Sequence, residues 1–361
     1  MKNKKPKIVV GMSGGVDSSV SAYLLKKQGY DVVGLFMKNW EGDPTCDGCS
    51  AVDDFNDVAR VCEKIGIPYY SINFADKYMD RVFKHFLKGL NDGITPNPDI
   101  LCNREIKFGP FLDFADKIGA DMIATGHYAK VSHNDGIAQL LKSKDTDKDQ
   151  TYFLCALSQK QLSRVIFPLG EITKPEVRKI ATKLGLVTAD KKDSTGICFV
   201  GERKFRDFMH QYFGDKQGNI VTLGGEVVGK HKGLVYYTIG QRKGLGIGAT
   251  DDATDRWFVV KKDVASNTLV VNNGECPELF SSALKCREFN WITPQTDTTF
   301  KCNVKVRYRQ PDQPCTVTVH KNGGVKISFD SKQRAVTPGQ WAVLYDGEVC
   351  LGGGEITEVF P

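Results

Sequence analysis

No stretch of the 361-residue chain holds the run of about 18 apolar residues that a membrane helix needs. The basic start Met1 to Lys7 leads into only Ile8, Val9 and Val10, too short for the apolar core of a secretory signal. Neither a membrane span nor an export signal is expected, and the expected location is cytoplasmic. Internal repeats and low-complexity linkers are also missing, which leaves ordinary globular domains. So is a strong charge of one sign: 49 Lys and Arg against 43 Asp and Glu leave +6, a balance that suits a nucleic-acid partner without requiring one. The eleven cysteines are odd in number and irregularly spaced. Without an export signal, that argues against a disulfide framework and for mostly reduced thiols.

What is present is a chain with 41% hydrophobic and 25% charged residues, enough to bury large cores in two or three domains. The first half alternates apolar β-rich runs with amphipathic stretches. Lys7 to Gly11, Asp31 to Met37, Tyr69 to Phe74 and Met122 to Thr125 read as strands; Ser18 to Gln28, Ala51 to Ile65, Lys77 to Leu90 and Pro175 to Leu184 read as helices. The expectation is an α/β fold whose N-terminal domain is a doubly wound parallel sheet. In such sheets ligands lie beyond the carboxyl ends of strands, so Gly11 to Ser19, Met37 and Gly126 to Tyr128 should approach one crevice. From about Asn219 glycine-punctuated β segments take over, Ile220 to Lys230 and Trp257 to Lys261 among them. Cys302 to Tyr308, Cys315 to His320, Val325 to Phe329 and Trp341 to Tyr345 are short, regularly spaced strands that favour a small barrel. The expected domains are 1–202, a central β-rich 203–272 and a C-terminal β-barrel 273–361.

Directly after the first strand comes Ser13-Gly14-Gly15-Val16-Asp17-Ser18-Ser19. Two glycines permit a tight turn, successive N–H groups form an anion-binding concavity, and a helix N-terminus adds its positive end. The bland alternative is a glycine turn with Ser18 as helix cap. The loop lacks the later Gly-Lys-Ser/Thr of the usual P-loop and is not G-x-G-x-x-G either. Asp17 beside a phosphate cradle would repel the ligand unless a cation intervened, which suggests Mg²⁺ on a triphosphate.

Asp99 and Cys102 follow Asn97-Pro98, a proline-restricted loop expected to lead into a helix near residue 103. A thiol at a helix N-terminus has its thiolate favoured, making Cys102 a candidate nucleophile with Asp99 able to handle a proton. Read alone, an Asp cap and a buried Cys would explain the same residues. Cys46 and Cys49 form a Cys-x-x-Cys without a second pair, so no metal site is assigned to them. Cys155, Cys276, Cys286, Cys302, Cys315 and Cys350 are expected to be small core residues. Arg307-Tyr308-Arg309-Gln310 alternates guanidinium with an aromatic ring, and Gln241-Arg242-Lys243 sits in a glycine-rich loop. Both are candidate RNA contacts, the alternative for the first being a plain strand with solvated arginines.

The glycine loop resembles the signature of the N-type ATP pyrophosphatases, which cleave ATP between the α and β phosphates and adenylate a substrate oxygen. Further segments are similar to the bacterial tRNA-specific 2-thiouridylase family: Gly11 to Ser19, Met37 to Trp40, Thr95 to Asn103, Ala124 to Tyr128, Asp193 to Phe199, Gly240 to Gly246 and Val306 to Gln310. The resemblance covers essentially the whole chain. It implies ATP, with Mg²⁺, held by Gly11, Met12, Ser13, Gly14, Gly15, Val16, Asp17, Ser18, Met37 and Gly126. It further implies Cys102 as nucleophile, Asp99 as acid/base and Cys198 as persulfide carrier, the two thiols passing through a disulfide. Contacts to tRNA are implied at Asn97, Pro98, Asp99, His127, Lys148, Asp149, Gln150, Arg307, Tyr308 and Gln340. The persulfide would come from a sulfur-relay protein or a cysteine desulfurase. Two other readings stay open: a different ATP pyrophosphatase adenylating a small carboxylate, and a non-catalytic RNA-binding protein. An iron-sulfur cluster held partly by one Asp and two Cys is open as well.

Overall fold

The computed structural model describes residues 5–40, 50–193, 205–247 and 256–361. Strand β1 (Lys7–Met12) is buried over five consecutive residues, helix α1 (Val16–Lys27) follows, and β2 (Asp31–Lys38) repeats the buried run. Continuous burial without alternation is what a parallel strand covered on both faces requires. Helix α2 (Ser50–Ile65) sets Val58, Val61 and Cys62 against Ile8, Val10 and Phe36. It leads to β3 (Tyr69–Asn73), whose mostly exposed residues mark it as an edge strand.

The expected single helix Lys77 to Leu90 is interrupted. A turn at Ala75–Tyr78 runs into π-helical Met79–Phe83 before α-helix resumes at Lys84–Asn91. The wider turn keeps Tyr78, Val82, Phe83, Phe86 and Leu90 all buried, with the Trp40 ring 4.8 Å from Phe83 and 6.2 Å from Tyr78.

Next come β4 (Met122–Ala124), the hairpin β5 (Lys130–Asn134) and β6 (Ile137–Leu141), and β7 (Val165–Ile166). The parallel sheet runs β3-β2-β1-β4-β7, so the direction of winding reverses between β1 and β4. That reversal opens a crevice at the carboxyl ends of these two strands. The helix Lys174–Leu184 is closed at its start by Thr173 and Glu176, which satisfy each other's backbone amides, and at its end by left-handed Gly185.

The central β-rich part pairs β8 (Gly218–Thr222) with β9 (Val227–His231), and β10 (Trp257–Asp263) with β11 (Thr268–Asn273), in the order β10-β11-β8-β9. The C-terminal part comprises β12 (Phe280–Cys286), β13 (Asn290–Trp291), β14 (Thr299–Lys305), β15 (Gln313–Val319), β16 (Val325–Arg334), β17 (Trp341–Asp346) and β18 (Val349–Phe360). The order β12-β16-β15-β14-β17-β18 closes on itself through β12–β18 pairing, a barrel around Leu284, Val317, Ile327, Ala342 and Leu344. Two features depart from the sequence reading. The strand expected to reach Tyr308 ends at Lys305, and Arg307 to Gln310 form a turn in which the Gln310 N–H donates to the Arg307 carbonyl over 3.1 Å. The hairpin β5–β6, inside the expected first domain, joins the barrel sheet: Leu140 and Leu141 pair with Cys350 and Val349.

Candidate active site

The loop Ser13–Gly15 joins β1 to α1 at the crevice. Gly15 is the N-cap of α1 and supplies no capping side chain, so the first N–H groups of the helix are left for a ligand. Ser18 does not cap: its hydroxyl donates to the Gly15 carbonyl at 3.1 Å and accepts from the Ser13 N–H at 3.2 Å, bracing the loop from beneath. Gly14 has φ +75°, and a Cβ there would lie 2.7 Å from the Asp54 carbonyl oxygen, so the loop fits against α2 only as glycine. Gly126 closes the other side. A Cβ on it would lie 2.8 Å from the Ser18 nitrogen and 2.9 Å from the Asp17 carbonyl carbon. Gly11 packs against Met37 and Phe111. The three segments expected to converge, around Gly11, Met37 and Gly126, do so, with Met12 and Val16 buried beneath them.

Asp17 is engaged differently from the sequence argument. Both of its oxygens accept from Lys174 Nζ at 2.8 Å, and Oδ1 also accepts from the Tyr128 hydroxyl at 2.8 Å. The neutralising cation is therefore Lys174, and the inference from Asp17 to Mg²⁺ loses its premise. Lys174 reaches on to Asp193 at 2.8 Å, which also receives Arg178 at 2.6 Å and Lys148 at 2.8 Å. Burial opposes the charge on Asp193, but the hydrogen bonds from Lys148 and Lys174 outweigh it and hold the carboxyl well below its usual range. Sequence reasoning missed Lys174 and Arg178, and it brought Tyr128 to the crevice without assigning its hydroxyl to Asp17. The only signal for Lys174 is a lysine in the first turn of a capped helix, where a basic residue is otherwise out of place. Replacing Lys174 with Met leaves Asp17 without its cation, and urea unfolding should show a loss of about 1–3 kcal/mol.

Helix Pro98–Cys102 begins five residues earlier than expected. Asn97 caps it, accepting from the Asp99 and Ile100 N–H groups at 3.2 and 3.4 Å, and Pro98 takes the first helical position. Cys102 is thus its last residue, one turn in, rather than a thiol at the helix N-terminus. It is 1% exposed and packs in the main core with Ile100 and Ile106. Asp99 stands three residues before it, on the same helix face. Burial raises the Asp99 carboxyl above its ordinary value, and the nearby Lys107 cation partly opposes this. Burial, aided by the same Lys107 cation, holds His127 well below the ordinary imidazole range. His127 lies between the rings of Phe108 and Phe167, at 5.9 and 6.1 Å, with Nδ1 2.7 Å from Thr125 Oγ1. Phe108, at the end of the π-helical turn Asn103–Lys107 that continues from Cys102, thus brings this segment against the loop 126–128. Cys198, Cys46 and Cys49 lie outside the described residues. Among the described residues no group of three His, Cys, Asp or Glu is placed to hold a metal ion.

The residues implied as RNA contacts are more deeply engaged than their type suggests. Asp149 is buried and accepts from Ser143 N–H at 2.9 Å and Thr151 Oγ1 at 2.6 Å, so its carboxylate faces inward. Gln150 Oε1 accepts from the Tyr128 N–H at 2.9 Å. Arg307 donates to the Ala335 carbonyl at 2.8 Å, and the Tyr308 ring leans on Phe153 at 4.5 Å. Gln340 donates to the Thr95 carbonyl at 2.7 Å. Arg242 is exposed, at a cavity of about 440 Å³ that Arg256 and Trp257 also line. The other cysteines assigned to the core are buried, except Cys302, which is partly exposed with its sulfur 3.8 Å from that of Cys315.

Three family models match the chain in succession: a tRNA methyl transferase HUP domain over residues 6–202, a tRNA methyl transferase PRC-barrel domain over 206–273 and an aminomethyltransferase β-barrel domain over 281–356. Among curated relatives, the tRNA-specific 2-thiouridylase MnmA of Proteus mirabilis is 57% identical over 98% of both chains. That of Alkaliphilus oremlandii is 54% identical over 99% of this chain and 98% of its own, and that of Pseudomonas fluorescens 56% over 98% and 95%. With likeness at this level running nearly end to end, the chain belongs to the tRNA-specific 2-thiouridylase family.

Proposed function

We propose that the protein is an ATP-dependent tRNA uridine 2-sulfurtransferase acting in the cytoplasm on the wobble uridine of a subset of tRNAs. The observation that carries this reading is the full-length likeness, at 54 to 57% identity, to relatives named for that reaction. The loop at Ser13–Gly15 supports it, since an uncapped helix start facing a crevice between β1 and β4 suits a triphosphate. Both Asp17 oxygens are taken by Lys174, so Mg²⁺ is proposed only as the ion that accompanies ATP, and no step here depends on it.

In the proposed reaction the uridine O2 attacks the α-phosphorus, pyrophosphate leaves, and the oxygen becomes part of a stabilised leaving group. The N–H groups at the start of α1 hold the phosphates, while Met37 and Gly126 border the nucleoside. Cys198 carries the transferable sulfur as a persulfide supplied by a sulfur-relay protein or a cysteine desulfurase. Cys102 attacks the Cys198 sulfur of that persulfide, hydrosulfide departs, and a Cys102–Cys198 disulfide remains. Hydrosulfide adds at C2, AMP leaves with the former O2, and an external dithiol reduces the disulfide. A carboxyl with its pKa raised, as burial raises that of Asp99, is better suited to accept and return a proton than an ordinary surface carboxylate.

The family descriptions speak of methyl transfer, and the glycine loop alone would equally serve a small-carboxylate adenylase. Mass spectrometry of nucleosides from tRNA incubated with protein, ATP and sulfide separates these. Uridine gaining sulfur, with pyrophosphate released only when tRNA is present, is the expected result. A gain of methyl, or pyrophosphate release without tRNA, would sink the reading. The pH profile offers a further check on Asp99. If Asp99 works as a base, the rate falls as pH drops through its raised pKa. Lys107→Met removes the cation that opposes the rise, so the acid limb of the profile should move to higher pH.

A further inference from the structure

Residues Ile94 and Thr95, just ahead of the helix that bears Asp99 and Cys102, are held from both β-rich parts of the molecule. From the barrel side, the Thr95 N–H donates to the Pro338 carbonyl at 3.0 Å and the Thr95 carbonyl accepts from Gln340 Nε2 at 2.7 Å. Gly339 lies so close that a Cβ on it would meet the Thr95 carbonyl carbon at 2.8 Å. From the central part, Lys262 Nζ donates to the Ile94 carbonyl at 3.4 Å, and Thr238 Oγ1 lies 3.3 Å from Thr95 Oγ1. Lys262 is half-buried at this junction, and that burial pushes its amine down to about 8.

Beyond Thr95 the chain has little freedom. Pro96 and Pro98 fix their own φ angles and restrict the residues before them, and the side chain of Asn97 between them is committed to capping the helix. A shift at Thr95 is therefore passed along a stiff connection to the helix start and, one turn later, to Cys102. We propose that Gln340 and Lys262 are positioning residues: by holding the Thr95 and Ile94 carbonyls, they set the placement of the Asp99–Cys102 helix from the two parts that flank it. The inference rests on the sulfurtransferase reading and gives Gln340 an intramolecular task besides the RNA contact that the resemblance implies.

The test uses the full-length protein with tRNA, ATP and sulfide, measuring single-turnover thiolation across tRNA concentrations. Gln340→Ala and Gln340→Glu each remove the amide donor, and Lys262→Met removes the amine. Each is expected to slow the saturated rate on the order of tenfold, and in Lys262→Met half-saturation by tRNA stays within about twofold. Lys262→Arg keeps a donor and should restore most of the rate. Combined with Asn97→Ala, which loosens the same connection, Gln340→Ala should cost less than the product of the two separate effects. Amides of Asn97 and of residues 99–102 should exchange hydrogen faster in Gln340→Ala and Lys262→Met, a readout independent of turnover. An unchanged saturated rate in Gln340→Ala or Lys262→Met, whatever happens to tRNA half-saturation, would overturn the proposal, as would unchanged exchange. Failure of the unsubstituted protein to thiolate would instead remove the reading on which the inference rests.

Discussion

Cys102→Ser is expected to abolish sulfur transfer, lowering turnover by at least about 10³-fold, while ATP still binds. The nucleotide loop is braced through Ser13, Ser18 and Gly126. The substitution changes sulfur to oxygen at a site 1% exposed, so a stability loss of about 1 kcal/mol accompanies it. Nucleoside mass spectrometry measures the first effect, and ATP binding by calorimetry measures the second arm. Thiouridine formed at the normal rate by Cys102→Ser would rule out the thiol as nucleophile. Loss of ATP binding together with activity would point to a collapsed site.

Gly126→Ala should act on the other half of the chemistry. The added methyl meets two backbone atoms, the Ser18 nitrogen and the Asp17 carbonyl carbon, and neither can rotate away as a side chain would. Relief requires the start of α1 to move relative to β4 by a few tenths of an ångström or more. The N–H groups aimed at the phosphates move with it. A loss on the order of 100-fold in kcat/KM for ATP is expected, with about 1–3 kcal/mol of stability. Gly229→Ala is the matched control, because its nearest neighbour would be Ile220 Cδ1 at an ordinary 3.7 Å. Wild-type ATP kinetics in Gly126→Ala would show that the crevice between β1 and β4 is not the nucleotide site.

The parallel sheet and the barrel were legible because their signals are local. Buried runs such as Ile8 to Met12 and Val32 to Phe36 can only be covered strands, and Gly14 with Gly15 after the first of them marks the turn. The convergence of Gly11, Met37 and Gly126 followed from a rule about where parallel sheets place ligands. What was not legible depends on partners far away in the chain. Lys174 reads as a helix-surface lysine until the fold sets it against Asp17, 157 positions earlier. The strand assigned to Cys302–Tyr308 was plausible by alternation, yet its last residues turn away so that Arg307 can reach Ala335 and Tyr308 can meet Phe153. Sequence alone puts Cys102 near a helix start because the proline-restricted Asn97-Pro98 reads as a loop. Asn97 uses that proline as the first helical residue.

The β5–β6 hairpin carries one more consequence. Leu140 and Leu141 lend their outer edge to the final strand of the barrel, and the hairpin leaves the nucleotide side only two residues after Tyr128, whose hydroxyl rests on Asp17. A fragment ending before the barrel would carry a bare strand rim into solvent, ready to zip onto a second copy. Expressing the two ends separately should therefore yield aggregates where co-expression yields a soluble pair, because a ribbon of main-chain hydrogen bonds rather than a swinging tether sets the barrel against the nucleotide side.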